Sequence, residues 1–245
     1  MEIQTFSTSI ELGEKSAILA AQTIKKVIQE KQEARMIVAT GASQFELLSN
    51  LVKQPDIPWD KVTAFHLDEY IGLSATHPAS FRKYLRERFF GLVPLRNYYE
   101  INGDSADPLM ECKRLGQILH QAPVDLALIG IGENGHIAFN DPPADFNTEE
   151  PYCVVNLDKA CRLQQVGEGW FMGLDQVPQQ AISMSVRQIL KTKRIICTVP
   201  DTRKSQAVKA TVEGPVTPDV PASILQTHPD CWVLLDSHSA VLLRK

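Results

Sequence analysis

Val124-Asp125-Leu126-Ala127-Leu128-Ile129-Gly130-Ile131-Gly132-Glu133-Asn134-Gly135-His136-Ile137-Ala138-Phe139-Asn140-Asp141-Pro142-Pro143 is the stretch on which the fold turns. Its first six residues form a short, mainly apolar run, suited to burial on both faces of a parallel sheet. Gly130, Gly132 and Gly135 follow, where the chain needs positive φ or a close backbone approach to a ligand. His136, Asn140 and Asp141 come next. Open α/β sheets bind their ligands through polar groups just beyond the carboxyl ends of buried strands.

Gly130-x-Gly132-x-x-Gly135 also matches the dinucleotide fingerprint letter for letter. That fingerprint requires a helix to begin inside it. Pro142-Pro143 stand too close behind, because a helix tolerates proline only in its first turn. The motif also lies mid-chain rather than in a first βαβ unit, so dinucleotide binding is rejected. A plain turn with a surface histidine remains the competing reading, and a second acidic constellation weighs against it. Val62 to Leu67 reads as an apolar strand that runs into Asp68-Glu69-Tyr70. Two carboxylates at a strand end either face solvent or belong to a site, because burying them unpaired is costly.

Outward from these stretches, strands and helices alternate. Glu11 to Glu33 carries a helical apolar stripe, and Met36 to Ala39 is a buried strand. Thr40-Gly41-Ala42-Ser43 then leads into a helix from Phe45, with Ser43 as its N-cap. A small-residue strand-to-helix turn of this kind suits an anion, since free N–H groups and the helix dipole point at it. Pro78 to Phe90 is helical, with a core stripe of Phe81, Tyr84, Leu85 and Phe89; Leu109 to Gln121 is a further amphipathic helix. Cys153 to Leu157, Ala181 to Ser185, Arg194 to Val199, Cys231 to Asp236 and Ala240 to Leu243 are expected as strands. Gly167 and Gly169 argue against a continuous helix over Ala160 to Phe171. Arg203 to about Val212 is a helix whose first turn holds Lys204, a placement unfavourable for the dipole unless an anion binds there too. The expected fold class is α/β, a Rossmann-like three-layer sandwich with a mainly parallel sheet and helices on both faces. Residues 1–245 show no repeat or linker and are expected to form a single domain.

Composition narrows the function. With 44% hydrophobic and 22% charged residues in 245, the chain has the make-up of a soluble globular protein. A net charge of −4 argues against non-specific nucleic-acid binding, so any phosphate must be held by local groups. Cys112, Cys153, Cys161, Cys197 and Cys231 are scattered, without a CxxC pair or an HExxH motif, and are expected to be reduced thiols with no metal site. Met1-Glu2-Ile3-Gln4 has no signal-peptide character. No apolar run is long enough to span a bilayer. A cytoplasmic protein with no membrane partner is therefore expected.

The segments Phe65-His66-Leu67-Asp68-Glu69-Tyr70-Ile71-Gly72-Leu73, His77-Pro78-Ala79-Ser80-Phe81 and Gly130 to Pro142 resemble the glucosamine-6-phosphate deaminases, in the superfamily that also contains 6-phosphogluconolactonases. The resemblance runs from the first helix to near the C-terminus. The lactonases share the glycine turn and its histidine, whereas Ile137-Ala138-Phe139-Asn140 and the Leu-Asp-Glu-Tyr segment look like the deaminases. The resemblance implies an aldose–ketose isomerisation of a hexosamine phosphate with loss of ammonia, without a cofactor, by a monomer or small homo-oligomer. It places the C2–C1 base on Asp68, the ring-opening histidine on His136, and supporting positions on Asn134 and Asp141. Thr40, Gly41, Ala42, Ser43 and Lys204 fall on its phosphate site, with Glu69 and Gly135 counted among the substrate-binding residues. There are departures. Many members carry Glu where this chain has Asp141. The phosphate arginine finds no match: Arg162 lies too early and Glu168-Gly169-Trp170 occupies the region. The alternatives are a phosphosugar lactonase and a non-catalytic sugar-phosphate sensor.

Overall fold

The computed structural model describes residues 1–244. In chain order its elements are β1 (Glu2–Phe6), α1 (Ser9–Lys31), β2 (Ala34–Val38), α2 (Phe45–Leu51), β3 (Val62–His66), β4 (Asp68–Tyr70), α3 (Phe81–Leu85), β5 (Asn97–Tyr99), α4 (Pro108–Leu119), β6 (Leu126–Ile129), β7 (Tyr152–Asn156), α5 (Lys159–Gly167), β8 (Gln180–Met184), α6 (Val186–Leu190), β9 (Arg194–Val199), α7 (Ser205–Glu213) and β10 (Cys231–Asp236). Seven strands make one parallel sheet in the order β1-β10-β9-β6-β2-β3-β5.

Side-chain alternation along the strands builds two cores. Met36, Val38, Leu126 and Leu128 face α1, α2 and α3, whereas Ile37, Ala39, Ala127 and Ile129 face α4, α6 and α7. Helices thus cover both faces, as expected of buried parallel strands. α1 starts two residues before the expected Glu11 because Thr8 caps it: Glu11 N–H donates to Thr8 Oγ1 (3.1 Å), and Glu11 Oε2 reaches back to accept from Ser7 N–H (3.0 Å).

The sheet order reverses between β2 and β6. From β2 the chain proceeds to β3 and β5 on one side, while β6, β9 and β10 extend the other. Such a switch point leaves a crevice at the strands' carboxyl ends.

Three features depart from the expected fold. A second, antiparallel sheet, β4-β8-β7, stands against the core. Its origin lies at Leu67, where the chain leaves the parallel sheet: Leu67 N–H donates to Val38 O (3.3 Å), and its carbonyl accepts from Met184 N–H (2.9 Å). Asp68 therefore opens a strand of its own rather than ending β3. The edge strands β1 and β5 were not foreseen, because they are largely exposed and carry no apolar signature. Ala240 to Leu243 is a turn and not a strand; both sides of β10 are already taken, by β1 and β9. Among the described residues, no helix is long and apolar enough to cross a membrane.

Candidate active site

A cavity of about 490 Å³ opens at the carboxyl ends of five adjacent strands. Ala39 after β2, Leu67 after β3, Gly130 after β6, Pro200 after β9 and Asp236 at the end of β10 all line it. The size is that of a small-molecule site.

The turn after β2 and the glycine segment after β6 meet at the switch point. Gln44 Nε2 donates to Ile129 O (3.2 Å), and a Cβ on Gly130 would lie only 2.8 Å from Ser43 Oγ. Gly132 is required more strictly, since a Cβ there would come 2.2 Å from the His136 ring. Gly135 has φ +85°, which closes the turn and directs His136 back toward Gly132.

His136 lines the cavity, with Asp141 behind it. Nδ1 is 3.1 Å from Asp141 Oδ1 but off the line of a straight hydrogen bond, so the contact is chiefly electrostatic. Asn134 joins the parts: its Nδ2 donates to Asp141 Oδ1 (3.0 Å) and Asp158 Oδ2 (3.2 Å), and its Oδ1 accepts from His136 N–H (3.2 Å). Asp158 N–H donates to the other Asp141 oxygen (3.0 Å). Burial works against the Asp141 charge, but His136 and these donors outweigh it and hold the carboxyl below its ordinary range. Ala138 is held at φ +50°, an unusual conformation for a residue with a Cβ, while Asn140 Nδ2 ties the loop to Ile137 O (2.8 Å) and Met184 O (2.9 Å). Cys161 Sγ, His136 and Asp141 have atoms within 4.8 Å of one another. Burial, with the Asp141 and Asp158 charges beside it, pushes the Cys161 thiol far up.

Asp68 faces the cavity from the start of β4. Burial, with Glu69 adjacent and no hydrogen bond to offset it, pushes its carboxyl up to about 8. Glu69 points the other way. Period-two alternation sends neighbouring strand residues to opposite faces, and Glu69 is completely buried. Its oxygens accept from Ser80 Oγ (2.8 Å), Arg82 N–H (2.8 Å) and Phe81 N–H (3.2 Å), anchoring the first turn of α3. The expectation that Glu69 binds substrate is corrected: it is a buried anchor whose acceptor capacity is already used. Gly135 and Asn134 are likewise absent from the cavity wall; they shape and position His136 and Asp141.

At the far end lie Thr40, Gly41, Ala42, Ser43 and Lys204. Lys204 sits in the turn before α7, which Asp236 fixes by accepting from Asp201 N–H (3.2 Å). Several wall residues escaped sequence reasoning. Arg203 neighbours Lys204 and is gripped by Asp201 (Nη2–Oδ2 2.8 Å); Gln164, Gln165 and Glu168 come from α5 and its end. The α5 residues gave no local signal, because their place depends on how that helix docks. Arg162 donates to Leu174 O and Val177 O, away from the wall.

Residues 7–233 match the family model for glucosamine-6-phosphate isomerases/6-phosphogluconolactonase. The chain belongs to this family. It is 38% identical to a glucosamine-6-phosphate deaminase of Oenococcus oeni over 245 residues, covering all of both chains. It is 36% identical to one of Listeria monocytogenes over 242 residues, covering 98% of this chain and 100% of that one. Among solved structures of the family, a monomeric glucosamine-6-phosphate deaminase superposes with a TM-score of 0.90 at 33% identity, over 99% of this chain and 100% of that one. A 6-phosphogluconolactonase from Trypanosoma brucei superposes with a TM-score of 0.83 over 99% and 98%; at 15% identity it shares the fold alone.

Proposed function

We propose that this family member is a glucosamine-6-phosphate deaminase, converting glucosamine 6-phosphate and water to fructose 6-phosphate and ammonia. The observation that carries the reading is the buried Asp68 carboxyl, raised to about 8, in the same cavity wall as His136. The deaminase names of relatives matched over their full length support it. A lactonase needs no base for a carbon acid, whereas an isomerase does.

The reaction divides between the two groups. His136 donates a proton to the ring oxygen as the C1–O5 bond breaks and the C1 hydroxyl gives up its own, leaving the open aldehyde. Asp141 stands 3.1 Å from the imidazole Nδ1 and orients the ring. Asp68, as carboxylate, takes the C2 proton while O1 regains a proton from solvent, giving an enolamine, and Asp68 then returns its proton to C1. The resulting C2 iminium adds water and expels ammonia. Ring opening, proton transfer, hydration and loss of ammonia involve no net redox change, so no cofactor is invoked. The Thr40–Ser43 turn and Lys204 bind the phosphate end, and Asn134 positions the His136–Asp141 pair.

A panel of hexosamine 6-phosphates, scored for ammonia and ketose phosphate, tests the reading. Release of both from glucosamine 6-phosphate is expected; lactone hydrolysis without ammonia release from any amino sugar would replace it with the lactonase reading. A monomer or small homo-oligomer in the cytoplasm, where phosphorylated sugars are retained by their charge, completes the proposal. Sedimentation of the purified chain checks the assembly state.

A further inference from the structure

The far end of the cavity contains a buried ion pair. Lys204 Nζ and Glu168 Oε1 are 3.7 Å apart, and each side chain is 7% exposed. Glu168 is built into the wall: it accepts from Gln164 Nε2 (2.7 Å) and Trp170 Nε1 (3.2 Å), and Gln164 Oε1 in turn accepts from Glu133 N–H (2.9 Å) in the glycine loop. Lys204 is the only buried lysine among the described residues. Burial opposes its charge and holds it below the usual lysine range, and Glu168 and Glu133 offset only part of that cost. The other cation here, Arg203, is already engaged by Asp201 through two nitrogens.

A ligand phosphate reaching Lys204 thus meets a carboxylate in the same place. The two anions compete for one ammonium, and in a dry pocket their repulsion is poorly screened. An uncharged hydroxyl meets no such conflict, since a carboxylate is a strong acceptor for it. We propose that Glu168 is a specificity-determining residue that competes with the ligand's anionic end for Lys204, so that the cavity discriminates less sharply between phosphorylated and unphosphorylated hexosamines than its anion-binding parts alone would. The inference rests on the reading that Lys204 and the Thr40–Ser43 turn receive the phosphate.

Glu168→Gln removes the charge and keeps the shape and the Gln164 contact. Two measurements on the full chain test it: calorimetric affinity for inorganic phosphate, which needs no turnover, and the ratio of kcat/KM for glucosamine 6-phosphate over glucosamine. The variant should bind phosphate about tenfold more tightly or better, and the ratio should rise by a similar factor, as expected for relieving one close like-charge contact. In a Lys204→Gln background the gain should shrink, because only the direct repulsion between carboxylate and phosphate is left to relieve; an undiminished gain would count against competition for Lys204. Unchanged or weaker phosphate binding in folded Glu168→Gln overturns the proposal. Should that variant not fold, Glu168→Asp, one methylene shorter, should still tighten phosphate binding, and a loss would count against the idea equally. Tighter phosphate binding without turnover of either sugar would sink the deaminase reading and leave the role of Glu168 standing. Turnover with phosphate affinity indifferent to residue 168 would do the reverse.

Discussion

Asp68→Asn separates the chemistry of the site from its energetic burden. The Asp68 carboxyl moves from an ordinary value of 3.8 up to about 8 in the folded chain. A raised carboxyl makes the native state hold its proton after the unfolded chain has released it. Stability is therefore unaffected by Asp68 below the unfolded value, falls as pH rises between the two values, and levels off above about 8. Integrated over that span at about 1.4 kcal/mol per factor of ten, the penalty reaches on the order of 6 kcal/mol; between about pH 5 and about pH 9 it grows by about 4 kcal/mol. Asparagine cannot ionise, so the variant should gain that difference relative to wild type across the same interval. Changes in packing or hydrogen bonding add an offset independent of pH, and relief of repulsion on Glu69 acts in the same direction. Denaturant unfolding of both proteins at each pH measures it. In parallel, exchange of the substrate C2 proton with solvent should fall by about 10²–10⁴-fold, while wild-type kcat/KM should climb with pH toward about 8. Parallel stability profiles for the two proteins would falsify the claim that Asp68 is a buried neutral acid, and retained C2 exchange would remove it from catalysis.

Further outcomes follow from the same geometry. Lys204→Ala should raise KM for the phosphorylated sugar by roughly tenfold or more, the worth of a charge-assisted hydrogen bond, with little effect on an unphosphorylated one; equal losses on both would make Lys204 structural. His136→Gln should slow turnover of the cyclic hexosamine phosphate much more than the reverse reaction from a ketose phosphate locked open, with Asp141→Asn showing the same bias more weakly; equal slowing on both substrates would end the ring-opening role. Glu69→Ala should cost about 3 kcal/mol of stability, because it leaves the Arg82 guanidinium (Nε 3.5 Å from Glu69) short of a buried partner. The residual activity should keep its KM, and a raised KM in a fully stable variant would return Glu69 to the substrate.

The legible parts of this chain are those whose signals are local. β6 and its glycines are legible because a strand buried on both faces is continuously apolar, because a Cβ on Gly132 would come 2.2 Å from the His136 ring, and because Gly135 has a φ of +85°. The Thr40–Ser43 turn and Lys204 do stand at helix beginnings, but Ser43 is not the N-cap expected: it lies in a 3₁₀ turn before α2, whose N-cap is Gln44 and carries no side-chain cap. Pairings between distant segments were not legible. Nothing in Asp68-Glu69-Tyr70 says that it will leave the parallel sheet and pair with Gln180–Met184, yet that pairing turns one carboxylate into the cavity and the other against α3. The aromatic residues Tyr70, Phe81 and Phe139 pack on one another from three separate segments, and Phe81 and Phe139 share the cavity wall with Asp68. Glu168 reaches Lys204 across 36 residues through the docking of α5, and sequence alone marked it only as a place where an arginine was missing.

The two carboxyls near the chemistry are driven in opposite directions, and the difference assigns their work. Asp141 is ionised early because His136, Asn134 and the Asp158 N–H surround it. Asp68 is ionised late because apolar packing and Glu69 surround it. A carboxylate that stays charged is a poor proton carrier, but it can orient the imidazole that delivers a proton to the ring oxygen. A carboxyl that exchanges its proton near neutrality is matched to abstracting one from carbon and giving it back. The assignment does not depend on Asp141 being one methylene shorter than its usual counterpart, because Asn134 and Asp158 hold it where it reaches His136 at 3.1 Å. Exchanging the environments, not the residue types, would exchange the roles: a hydrogen-bond donor introduced beside Asp68 should lower its pKa and weaken it as a base while leaving ring opening intact.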